Sequence, residues 1–187
     1  PRIGIVTAIG DIPAHVEAYE DIEAVAREKA RLVEALPAAG GVVLNADDSR
    51  VMEMRERTKA RVLTFGFSDS ADVRITRFET KTDLMGRPEG VSFKIEYSNA
   101  FLPVRIAGAL GRPLAYVAAS AVCVGIMHNL NIVEIADALA DFKPQEQRMT
   151  LVNGVKKSLI IDDSYNASPA STNAALDSIA TLQSKRK

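Results

Sequence analysis

The densest group of side chains able to do chemistry is Asp162-Asp163-Ser164-Tyr165-Asn166-Ala167-Ser168-Pro169. It closes the apolar run 158–161 and leads into a helix predicted to begin near Pro169. Two carboxylates, a phenol and an amide at a strand end suit a ligand loop. A purely structural turn more often uses glycine, and none is present. Arg148 stands just upstream. Its planar guanidinium is suited to a phosphate, although an ordinary surface arginine fits the same position. Asn45-Ala46-Asp47-Asp48 follows a second apolar run. Carboxylates there could contact a ribose or a metal, or cap the next helix, and both can hold together. His15, in Pro13-Ala14-His15-Val16-Glu17, follows the first apolar run. A neutral imidazole there could ligate a metal or be a loop histidine with no role. Lys29 falls on a helix, where spacing alone favours a solvated lysine.

The elements that must position these residues alternate. Residues 3–9, 41–45 and 61–66 are β-branched or apolar runs of the kind buried in parallel sheets. Between them, residues 21–36 carry helically spaced apolar side chains closed by Pro37, and residues 48–59 form a polar helix rich in Arg and Glu. Strand–helix alternation predicts an α/β fold with a mostly parallel sheet flanked by helices. Residues 73–80, 91–97 and 102–106 then alternate with period two and predict an antiparallel patch at the sheet's edge. Helices follow over 114–124 and 131–142, the second opened by an Asn131/Glu134 capping box. A boundary is expected near residues 143–147, dividing the chain into 1–145 and 146–187. Beyond it come a hairpin around Asn153-Gly154, a buried strand over 158–161 and a helix over about 169–182. One strand pair and one helix cannot bury a core alone, so this part reads as the opening of a second α/β domain.

Composition narrows the function classes. The 187 residues are 47% hydrophobic, with 23 Lys and Arg against 24 Asp and Glu, for a net charge of -1. A nucleic-acid surface would need clustered positive charge, so none is expected. The basic residues 183–187 read as a solvated end. No apolar stretch is long enough to span a bilayer, so no membrane insertion is expected. Cys123 is the single cysteine. It sits in an apolar run and reads as a buried, inert thiol in a reducing, cytoplasmic setting. The chain opens on Pro1, and further sequence is expected upstream of it.

The motifs together resemble the Mur ligase family. Ile161-Asp162-Asp163-Ser164-Tyr165-Asn166-Ala167-Ser168-Pro169 is similar to the signature of the branch that adds D-alanyl-D-alanine. Thr7-Ala8-Ile9-Gly10 with Pro13-Ala14-His15-Val16-Glu17 resembles the family's TNIG-x-AHLE, and Val25-Ala26-Arg27-Glu28-Lys29 its VARAK helix. Leu44-Asn45-Ala46-Asp47-Asp48 resembles LNADD, and Gln147-Arg148-Met149 the GRM that opens the last domain. The resemblance covers nearly the whole chain. It implies the later part of a central ATP-binding domain of P-loop type over 1–145 and the start of a Rossmann-like C-terminal domain over 146–187. It implies ATP and Mg2+ as cofactors, with His15 and a CO2-carbamylated, catalytic Lys29 as magnesium ligands. Asn45, Asp48, Arg148, Asp162, Asp163, Tyr165 and Asn166 would serve nucleotide binding. The implied reaction activates the carboxylate of UDP-N-acetylmuramoyl-tripeptide as an acyl phosphate, which the amine of D-alanyl-D-alanine then attacks. The implied parent is a monomeric cytoplasmic enzyme of peptidoglycan synthesis.

The chain also departs from the pattern. No G-x-x-x-x-G-K-(S/T) occurs in it, so the piece alone is expected to be inactive. The family's G-x-H-N-x-x-N helix start appears as Gly111-Arg112-Pro113-Leu114-Ala115-Tyr116-Val117. Pro113 replaces the His, and Leu114 and Val117 replace two Asn that would face adenine. Adenine recognition would then fall to Tyr116 and backbone groups. The loop over 10–13 is one residue longer than usual. Two alternatives stay open: another ligase of the superfamily, of cyanophycin or folylpolyglutamate synthetase type, or a non-catalytic domain that binds a nucleotide or a partner.

Overall fold

The computed structural model describes residues 1–10 and 19–182. Among these, eight strands and five α-helices form a six-stranded sheet with helices packed on it and a separate two-stranded hairpin. The six strands lie in chain order: β1 (Ile3–Val6), β2 (Gly41–Asn45), β3 (Arg61–Gly66), β4 (Val73–Thr82), β5 (Pro88–Tyr97) and β6 (Ala100–Ala107). The pairs from β1 to β4 are parallel and those from β4 to β6 antiparallel. This matches the α/β architecture expected from the alternating pattern.

β2 shows why a continuous apolar run marks a central strand. Val42 and Leu44 belong to one core, together with Val25, Ala30 and Val33 of α1 (Ile22–Glu34). Val43 belongs to the other, together with Phe65, Ile75 and the Ala-rich α3 (Pro113–Met127). Successive side chains point to opposite faces, so a strand covered on both sides needs apolar residues at every position. α4 (Ile132–Ala140) packs against β6 and against α3, where Ile135 lies beside Gly125. Its predicted capping box is present: the Asn131 side chain accepts from the Glu134 N–H at 3.0 Å, and Glu134 accepts from the Asn131 N–H at 2.8 Å.

Three expectations need correction. The helix expected over 48–59 is a four-residue α2 (Ser49–Met52) that tightens into a 3-10 turn over Glu53–Arg57. Only Val51 and Met54 are buried there, and an i,i+3 pair lines up on one face in that tighter winding. β1 is shorter than expected, pairs among the described residues with β2 alone, and leaves Ile5 exposed. The strand expected to be buried over 158–161 is β8 (Leu159–Asp162), paired with β7 (Thr150–Asn153). Ile161 and Leu151 pack on the main core while Ile160 is exposed, because a two-stranded hairpin has only one face to bury.

The second segment does not stand apart. Leu110 N–H donates to Met149 C=O at 3.0 Å and Leu151 N–H to Gly108 C=O at 2.8 Å. Met149 is buried in the larger core, and Ala175 of α5 (Pro169–Ala180) packs against it. Arg87, at the β4–β5 turn, donates to Asn153 Oδ1 at 2.7 Å and to Ser158 C=O at 3.2 Å.

Candidate functional site at the strand ends

In a parallel sheet, ligands gather outside the carboxyl ends of the strands, and the polar residues of this chain gather there too. Asn45 ends β2. Its amide donates to Thr7 C=O at 2.8 Å and accepts from the Asp47 N–H at 2.9 Å, tying the loops after β1 and β2 together. Asp48 caps α2 by accepting from the Val51 N–H at 3.1 Å. Its other oxygen accepts from the Ile9 and Gly10 N–H groups at 2.7 and 2.9 Å. The capping role expected for Asp48 is therefore present, and the same carboxylate shapes the loop after β1.

Asp47 does more than its place in the motif announced. One oxygen accepts from the Ser68 N–H at 2.7 Å; the other accepts from the Phe67 N–H at 2.7 Å and the Tyr116 hydroxyl at 2.8 Å. The carboxylate reaches this loop because residue 66 is glycine. A Cβ there would stand 2.8 Å from Asp47 Oδ1. Burial, then the hydrogen bond to Asp47, push the Tyr116 phenol well above the usual tyrosine range. Phe67 lies among three side chains. The Arg112 guanidinium stands 3.8 Å over its ring, Tyr116 meets it edge-on at 5.2 Å, and Phe78 lies at 6.1 Å. Sequence reasoning missed Phe67. Its only signal was its position directly after a glycine that ends a buried strand.

A second cluster forms around the junction. The Arg148 guanidinium lies 4.1 Å over the Tyr165 ring, and the Tyr165 N–H donates to Gln147 C=O at 3.2 Å. Asp163 accepts from the Met149 N–H at 3.2 Å. Asp162 accepts from the Ser164 hydroxyl and N–H at 2.6 and 3.1 Å, and Asn166 from the Ala167 N–H at 2.8 Å. The structure thus brings Arg148, Asp163 and Tyr165 together, and separately Asn45 and Asp48. Ser168 and Ser171 form a capping box that starts α5 directly after this loop.

Lys29 is exposed on α1, between the buried Val25 and Val33. His15 lies outside the described residues. Among the described residues no three His, Cys, Asp or Glu side chains group as a metal site. The strand-end carboxylates are taken up by N–H and O–H donors, so these residues do not by themselves fit a magnesium ion. Cys123 is fully buried, and burial pushes its thiol up to about 12. No helix among the described residues is long and apolar enough to cross a membrane.

The mostly parallel sheet thus carries polar loops at its strand ends and a two-stranded hairpin hydrogen-bonded alongside. The model of the Mur ligase middle domain matches residues 1–125, and the chain belongs to that family. Over 183 residues it is 33% identical to the UDP-N-acetylmuramoyl-tripeptide–D-alanyl-D-alanine ligase of Mycobacterium tuberculosis, covering 97% of this chain and 34% of that protein. It is 26% identical to the UDP-N-acetylmuramate–L-alanine ligase of Aquifex aeolicus, covering 97% of this chain and 38% of that protein. The chain thus spans little more than a third of these relatives' length. The fold matches MurF from Acinetobacter baumannii with a TM-score of 0.84 at 22% identity, over 98% of this chain and 38% of that one. It matches MurF ligase from Thermotoga maritima, solved in complex with ADP, with a TM-score of 0.81 at 20% identity, over 96% and 39%.

Proposed function

We propose that this chain is part of an ATP-dependent carbon–nitrogen ligase of peptidoglycan precursor synthesis. In this reading residues 1–145 are the later part of its middle domain and residues 146–187 open the next. The reaction joins D-alanyl-D-alanine to UDP-N-acetylmuramoyl-tripeptide in the cytoplasm. The observation that carries the reading is the 33% identity to a tripeptide–D-alanyl-D-alanine ligase along 97% of the chain. The Asp162-Asp163-Ser164-Tyr165-Asn166 run supports that branch over the L-alanine-adding one.

ATP would supply an activated phosphoryl group, converting an unreactive carboxylate into an acyl phosphate. The residues of this chain would bind and orient. Arg148, its guanidinium 4.1 Å over the Tyr165 ring, would offer its N–H fork to a phosphate oxyanion. Asp163 fixes the backbone beside Arg148 through the Met149 N–H, and Asp162 fixes the loop that carries Tyr165 and Asn166. Asn45 and Asp48 would act on the nucleotide side by holding the loops after β1 and β2 in register. Lys29 is accessible to CO2. Loss of a proton from the ammonium would free the amine; its addition to the carbon of CO2, with loss of a second proton, would leave a carbamate with hard oxygen donors. With His15, that carbamate would supply magnesium donors that the unmodified described residues lack. Magnesium would neutralise charge on the transferred phosphoryl group.

The test is mass-spectrometric identification of the product made by the native-length protein. It is given ATP and Mg2+ with either the tripeptide and D-alanyl-D-alanine, or UDP-N-acetylmuramate and L-alanine. Product from the first pair alone supports the reading. Product from the second pair alone overturns it in favour of the L-alanine branch. Absence of product from both overturns the reading in favour of another ligase of the superfamily or a non-catalytic binding domain.

A further inference from the structure

We infer that Gln147 is a positioning residue for Arg148: its left-handed backbone, matched by that of Met149, sets where the Arg148 guanidinium stands. The inference rests on the proposal above that Arg148 meets a nucleotide phosphate, and it assigns the residue that aims it.

The backbone carries the argument. Gln147 has a φ of +62° and Met149 a φ of +54°, so left-handed residues flank Arg148 on both sides. In a residue with a side chain this conformation crowds Cβ against the following carbonyl oxygen, and it persists where the surroundings over-determine it. Here three backbone groups are held. Gln147 C=O accepts from the Tyr165 N–H at 3.2 Å, Met149 N–H donates to Asp163 at 3.2 Å, and Met149 C=O accepts from the Leu110 N–H at 3.0 Å. The Met149 side chain is buried in the larger core.

One residue, Tyr165, serves both ends of this arrangement. Its N–H holds the Gln147 carbonyl, and its ring lies 4.1 Å beneath the Arg148 guanidinium. The Gln147 carbonyl and the Arg148 nitrogen belong to one planar peptide unit. Turning Gln147 out of the left-handed region therefore swings that plane, breaks the bond to Tyr165 and re-aims Arg148. A guanidinium fork binds an oxyanion in a narrow geometry, so a re-aimed arginine loses its phosphate. Gln147 and Arg148 are both exposed. A substitution at Gln147 thus changes the ease of the left-handed conformation without disturbing core packing, which a change at the buried Met149 would not achieve. Glycine adopts that conformation freely, and a β-branched residue resists it most.

The experiment is isothermal titration of the native-length protein with ATP and Mg2+, for wild type, Gln147→Gly, Gln147→Val, Arg148→Ala and the double variant Gln147→Val/Arg148→Ala. Circular dichroism checks that each folds, and Gln147→Thr, a smaller branched residue, replaces Gln147→Val should that variant not fold. Arg148→Ala is expected to weaken ATP binding by roughly 10-fold or more, the scale of a lost charged hydrogen bond. Gln147→Val should weaken it by at least about fivefold, and Gln147→Gly should stay within about threefold of wild type. The double variant should bind within about twofold of Arg148→Ala alone, because a residue that acts through Arg148 has nothing left to act on. A branched variant that binds ATP like wild type overturns the inference. So does a double variant whose loss is the product of the two single losses, since Gln147 would then act apart from Arg148. If Arg148→Ala binds ATP like wild type, or wild type does not bind it, the phosphate reading itself fails and the inference falls with it.

Discussion

Asp48→Ala removes one carboxylate that serves two elements. The first loss is the cap on α2, where the Val51 N–H loses its acceptor at 3.1 Å. Replacing an N-cap aspartate by alanine costs about 1 kcal/mol. The second loss is the pair of bonds from the Ile9 and Gly10 N–H groups, at 2.7 and 2.9 Å. Each contributes roughly 0.5–1.5 kcal/mol net, and these groups are only part-buried, so water replaces some of it. The sum is about 2–4 kcal/mol. For a chain of this size a loss of ~3 kcal/mol lowers the melting temperature by roughly 6–12 °C. Asp48→Asn keeps one acceptor oxygen, which can serve the cap or the loop but not both, and should lose about half as much. The assay is thermal unfolding by circular dichroism, with amide exchange followed at Ile9 and Gly10. An Asp48→Ala protein that melts within about 2 °C of wild type, with unchanged exchange at both amides, would refute the account of how this loop is held.

Two further outcomes follow from other parts of the molecule. Cys123 should resist a thiol-specific reagent at pH 8 until the protein is unfolded, because the thiol is buried and its ionisation is pushed up to about 12. In the unfolded chain a cysteine ionises near about 8.5, so stability should fall as pH climbs from there towards 12, and Cys123→Ala should flatten that slope in denaturant titrations. Arg87→Ala should loosen the second module by about 0.5–1.5 kcal/mol, by loss of the bonds to Asn153 and Ser158. Faster amide exchange across β7 and β8, with β2 and β3 unchanged, is the expected result.

Local signals were legible wherever the chemistry is local. The Asn131/Glu134 capping box needs only residues three apart, and it is present. Val42, Val43 and Leu44 announced a strand buried on both faces, and each of the two cores claims its share. The hairpin at Asn153-Gly154 is real but has a longer connection than a two-residue turn. Residues 154–158 bulge through a 3-10 turn, in which Lys156 takes a positive φ. What the pattern did not disclose is set by neighbours far along the chain. Among the described residues β1 has a partner strand on one side, β2, and Ile5 is exposed, which its apolar run does not encode. The bond from Tyr116 to Asp47 spans 69 residues, and only the folded sheet brings α3 to the end of β2. Of the candidate site, Arg148, Asp163 and Tyr165 meet as a cluster, whereas Lys29 stands exposed on α1.

The central claim is that this chain belongs to a working ligase whose Lys29 is chemically modified. The most direct test is ATP-dependent phosphate release by the native-length protein, supplied with UDP-N-acetylmuramoyl-tripeptide, D-alanyl-D-alanine, Mg2+ and bicarbonate. It is run beside a Lys29→Ala variant of matched thermal stability. The account predicts release that requires both substrates and falls by at least about 100-fold in the variant, the scale on which loss of one electrostatic stabiliser acts. Equal release by wild type and variant would contradict the role given to Lys29, and absence of release from the wild type would contradict the ligase itself.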